Sequence, residues 1–124
     1  MHKFNFWLII IGILVLIGLF YLLNPKSTAP AQSVTAAKIF DLVIKNKKLV
    51  SGPETLTVTE GDQVIINITD DENEELHLHG YDKSVDLEAS KSAQLIFSAN
   101  LTGRFPYELE KSKTEIGALE VQPK

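Results

Sequence analysis

The chain has 124 residues, no cysteine, one methionine at position 1 and a formal charge of −4. All sixteen acidic residues but only ten of the twelve basic ones lie beyond residue 33, a formal charge near −6 for that part. This balance argues against a nucleic-acid surface, which requires a basic face for phosphates, and against tight docking on anionic lipid. The lack of cysteine excludes a disulfide framework but identifies no compartment.

Residues 1–5 form a short tail containing Lys3, and residues 6–23, FWLIIIGILVLIGLFYLL, carry no charge. As a helix that run rises roughly 27 Å, close to a bilayer's hydrocarbon thickness. Trp7 and Tyr21 stand near its ends, where amphipathic rings favour headgroups. The expectation is a transmembrane helix serving as a signal-anchor. The chain would then be a single-pass membrane protein with its C-terminal domain outside the cytoplasm, periplasmic or extracellular. The alternative is a cleaved signal peptide. It is disfavoured because such an apolar core is usually about 7–15 residues, and because Ala29-Pro30-Ala31, which has the small-x-small look of a cleavage site, holds a proline and stands well beyond Leu23. Residues 24–33, NPKSTAPAQS, read as an extended linker.

Residues 34–124 are enough for one small domain with a single core. Their hydrophobic period is two. Phe40, Leu42 and Ile44 alternate with Asp41, Val43 and Lys45; Leu56 and Val58 alternate with threonines; Val64, Ile66 and Ile68 alternate with Ile65, Asn67 and Thr69. The pattern recurs at Leu76/Leu78, Val85/Leu87, Leu95/Phe97, Phe105/Tyr107/Leu109 and Leu119/Val121. Short alternating runs predict half-buried strands. Turn signals separate them at Ser51-Gly52-Pro53, Glu60-Gly61-Asp62, Gly80, residues 100–103 and Gly117. The expected fold class is all-β: a sandwich of seven to eight strands with Greek-key connections.

The order of the segments resembles the cupredoxin-like family, of which plastocyanin and azurin are typical. TLTVTEGDQVIINITD is similar to that family's early strand pair, and His77-Leu78-His79-Gly80-Tyr81-Asp82 resembles an H-x-H-G-Y-D segment of its small extracytoplasmic members. The run from Phe97 to Tyr107, FSANLTGRFPY, looks like the stretch leading into the copper-ligand loop, and GALEVQP from Gly117 resembles the closing strand. The resemblance implies a copper-type scaffold, with His77 matching the first histidine ligand. The family's cysteine position falls at or next to Leu109, and the following residues, EKSKTE, hold neither histidine nor methionine. A blue-copper centre requires a copper–thiolate bond, so this chain has no residue with which to build one.

A different metal site is open to it. His77 and His79, two apart on a strand, point to one face, with Asp82 just beyond. Two imidazoles and a carboxylate suit copper or another divalent metal. The alternative is that the histidines serve packing and hydrogen bonding. The acidic run at residues 70–75 lacks the spacing of a calcium loop. No nucleophile motif or phosphate-cradling loop is present, so an enzyme is not expected. Two functions follow. One is a binding or accessory module without type 1 copper, whose partner would be another envelope protein. The other is divalent-metal binding or delivery through His77 and His79.

Overall fold

The computed structural model describes residues 6–23 and 36–124. The chain divides into two units, with the boundary between residues 34 and 35. The expected tail at 1–5 and linker at 24–33 lie outside the described residues.

Helix α1 is Phe6–Leu23. It has no proline and is rich in leucine and isoleucine, so nothing interrupts the helical ladder. Its 18 residues rise about 27 Å, short of the roughly 30 Å layer that about twenty residues cross. Among the described residues no helix is long and apolar enough to cross a membrane. This corrects the expected transmembrane anchor, and with it the single-pass location with a periplasmic or extracellular domain.

The second unit is built of nine strands. In chain order these are β1 (Lys38–Lys45), β2 (Lys48–Ser51), β3 (Thr55–Thr59), β4 (Gln63–Asp70), β5 (Glu74–Leu78), β6 (Lys83–Leu87), β7 (Ser92–Ser98), β8 (Gly103–Leu109) and β9 (Thr114–Gln122). One sheet has the order β2-β1-β4-β7 and the other β3-β9-β8-β5-β6. Parallel pairs β1·β4 and β3·β9 sit among antiparallel ones.

Strand pattern decides which face is buried. In β4, Val64, Ile66 and Ile68 are buried while Ile65, Asn67 and Thr69 turn outward. The other strands direct Leu42, Ile44, Leu56, Leu76, Leu78, Tyr107, Leu109 and Leu119 into the same core. Each such side chain contributes on the order of 1.5–3 kcal/mol by leaving water. The β1–β2 hairpin turns on Asn46 and Lys47, with φ of 50° and 60°, the paired left-handed geometry of a type I′ turn. The Asp71 carboxylate accepts a hydrogen bond from the Asn46 backbone N–H at 3.1 Å.

Strand β2 has no counterpart among the alternating runs of the sequence. It is an edge strand with little burial, so no period-two signal was imposed on it. At the other sheet, Gly117 lies opposite Tyr107 in the β8–β9 register. A Cβ there would collide with the Glu54 carbonyl and the Tyr107 ring, so close packing of that ring requires glycine.

Candidate metal centre

Strand β5 buries Leu76 and Leu78 completely and thereby turns His77 outward. Strand β8 buries Tyr107 and Leu109 and turns Glu108 outward in the same way. The two strands pair antiparallel with His77 opposite Glu108, so those side chains share one face. Backbone bonds carry the pairing past both strand ends. The His79 N–H donates to the Pro106 carbonyl at 3.0 Å, and the Glu110 N–H donates to the Glu75 carbonyl at 2.8 Å. His79 and Glu110 are thus held on the face that already carries His77 and Glu108.

The resulting cluster is close-set. The two imidazole centroids lie 4.5 Å apart with planes tilted by 45°. His79 Nε2 is 2.9 Å from Glu108 Oε1, and His77 Nδ1 is 3.4 Å from Glu110 Oε2. One ligand atom from each of His77, His79, Glu108 and Glu110 can be chosen so that all lie within 4.8 Å of one another. Donors on opposite sides of a first-row ion at about 2.1 Å stand roughly 4.2 Å apart. The four side chains therefore need to contract only slightly to hold one ion.

Asp82 takes a different place. Its Oδ1 is 3.8 Å from His77 Nε2, and its side chain is fully exposed, with φ of 50° at the turn after β5. It stands at the margin of the group formed by the two histidines and two glutamates.

Electrostatics distinguish Glu110 from its neighbours. The Lys113 ammonium, hydrogen-bonded to it, holds its carboxyl below the ordinary carboxylate range against an opposing effect of partial burial. The same bond holds Lys113 above the ordinary lysine range. Only one oxygen of Glu110 is satisfied in this way. The other, Oε2, is shut off from solvent without a hydrogen-bond partner, and it is the oxygen facing His77. A carboxylate oxygen left unpaired costs free energy, and a cation between it and the imidazole would remove that cost.

Glu108 and Glu110 were not singled out from the sequence. The signal was there as E-L-E, the same alternation as H-L-H, but both patterns also describe an ordinary half-exposed strand. Only the pairing register brings the two together.

No protein-family model and no curated protein matches the chain. Solved structures do. The multicopper oxidase mgLAC superposes with a TM-score of 0.57 and 23% identity, covering 72% of this chain and 40% of that one. A copper binding protein in the apo form matches with a TM-score of 0.54 and 9% identity, covering 71% of this chain and 99% of its own. A chain from a heme-copper terminal oxidase dimer matches with a TM-score of 0.55 and 13% identity over 93% of both lengths. The chain thus spans about two-fifths of the multicopper oxidase it matches. At these identities the likeness defines the fold, which is cupredoxin-like and shared with copper proteins.

Proposed function

We propose that this chain is a cupredoxin-like module that binds a divalent metal ion, copper(II) foremost, as cargo on the outward face of its five-stranded sheet. The observation that carries this reading is the convergence of His77, His79, Glu108 and Glu110. Two imidazole nitrogens and two carboxylate oxygens are borderline-to-hard donors, and among divalent first-row ions such sets favour copper(II). The orphaned Glu110 Oε2 supports the same reading, as does the fold shared with copper proteins. Blue-copper electron transfer is not part of it. The family resemblance places the cysteine at or next to Leu109, and neither Leu109, fully buried on the opposite side of β8 from the two glutamates, nor its neighbours Glu108 and Glu110 can supply a thiolate. No catalytic step is assigned.

Titration with copper(II), followed by calorimetry and electron paramagnetic resonance, tests the site. We expect one ion per chain and nitrogen hyperfine structure from two imidazoles. His77→Ala and His79→Ala are each expected to weaken binding by about a hundredfold or more, and Glu108→Gln by about tenfold, consistent with loss of a ligand. Binding no tighter than that of an unstructured histidine-containing peptide overturns the reading.

A second reading is favoured by the terminal-oxidase chain, matched over 93% of both lengths. In it the module serves as an accessory subunit of a larger partner, and its His/Glu face is a polar contact surface. An absence of stoichiometric copper binding would leave that role as the better account.

A further inference from the structure

Residues 110–113 join β8 to β9, where the resemblance places a copper-ligand loop. Here they form a tight turn with two anchors. Lys113 adopts a φ of 53°, a left-handed conformation that folds the chain back on itself. The buried carboxylate of Glu74 accepts a hydrogen bond from the Lys111 N–H at 3.2 Å. The turn brings the Lys113 ammonium onto Glu110 Oε1, with the charges of Glu108 and Glu75 also acting on it. The lysine side chain is 68% exposed, so no packing holds it, and its flexible four-carbon stem is free to swing.

Resting on the metal-binding reading above, we propose that Lys113 is an internal counter-cation of the cluster. It neutralises Glu110 in the metal-free protein and opposes the entry of a divalent ion, either by being displaced or by repelling it, so its charge sets the affinity of the site. Glu110 is divided between two claims. One oxygen is taken by the ammonium, and the other faces His77 Nδ1 at 3.4 Å. An ion held by both oxygens displaces the lysine outright. An ion held by the inner oxygen alone has an ammonium beside it, and the two positive charges repel. In both cases part of the binding free energy is offset by the charge of Lys113. The turn thus lowers the affinity for every divalent ion alike and leaves a ready replacement charge when the cargo departs.

The test is competition for copper(II) between the full chain and a chelator of known affinity. Lys113→Met and Lys113→Asn both remove the charge, and asparagine also tolerates the left-handed backbone. Each is expected to raise affinity by about tenfold, the order of a Coulomb interaction at a partly exposed site. Lys113→Arg is expected to stay within about threefold of the parent, because the charge is kept. Lys91→Met is the control, since Lys91 makes the same three-residue pairing with Glu88 outside the cluster, and it should leave affinity unchanged. Neutral variants that bind no more tightly than the parent, while the parent binds one ion, overturn the counter-cation role alone. A parent and variants that all fail to bind overturn the metal-binding reading and this inference with it.

Discussion

The two sheets obey the same rule inward and opposite rules outward. Each directs leucine, isoleucine and valine into the shared core. On its outer face the four-stranded sheet carries a row of Ile39, Ile65 and Ile96 in register. The neighbouring row is Asp41, Asn67 and Gln94, joined by hydrogen bonds of 2.7 and 2.8 Å. That ladder is closed, with each amide donating to the next side-chain oxygen. The five-stranded sheet instead exposes imidazoles and carboxylates, and one inner oxygen has no donor. The contrast teaches that period-two patterning fixes which side of a strand is buried. The chemistry of the outward side is left to other demands.

The sharpest way to break that contrast is to compare neighbours on β5. Leu78→Ala removes a fully buried side chain and should destabilise the domain by about 2–5 kcal/mol. His77→Ala, one residue away from that leucine's inward row, should change stability by no more than about 1 kcal/mol while removing copper binding. Denaturant unfolding of both variants checks this, and equal losses of stability would mean that the imidazole belongs to the packing.

Each sheet also has a buried titratable group whose ionisation burial opposes, and the two respond to pH differently. Tyr107, in the five-stranded sheet, is pushed up to about 12 by burial, with the Glu54 charge adding to it. A raised value means that its contribution is complete below the unfolded tyrosine value near 10 and is lost as pH rises through about 12. The loss amounts to as much as about 3 kcal/mol. Unfolding measured between pH 9 and 12 should show it, and Tyr107→Phe should flatten that limb.

Asp70, at the end of β4 in the other sheet, is the smaller case. Burial raises its carboxyl above the ordinary range despite a hydrogen bond from the Glu72 N–H, with Asp71 adding repulsion. Its Oδ2 has no partner. Its contribution is present below the unfolded value and lost as pH rises through the raised one, so at neutral pH it is a liability. Asp70→Asn should therefore stabilise the neutral protein by about 1 kcal/mol, with little change in acid. Thermal melts at pH 7 and pH 3 read the difference.

What was legible in the sequence follows from how local each signal is. The alternation in Gln63–Asp70 and Glu74–Leu78 is local, and it identified strands and their buried faces directly. Strand β2 was hidden because an edge strand need not alternate, and its Asn46-Lys47 turn lacks the glycine that usually marks such a hairpin. The apolar run at residues 6–23 announced a helix. Its charge-free composition did not establish that 18 residues suffice to span a bilayer. Glu108 and Glu110 were hidden for a deeper reason. Their partnership with His77 and His79 spans about thirty positions and depends on the β5–β8 register, which composition and periodicity do not encode.

Leu109 stands between Glu108 and Glu110 but projects through the other side of the sheet. A thiol introduced there by Leu109→Cys would sit in the hydrocarbon interior, with a backbone layer between it and the two imidazoles. Strand β8 thus offers two addresses that cannot be read by a single ion. A sulfur placed at position 109 would add a dry, unreactive side chain to the core and leave the outer cluster's donor set unaltered.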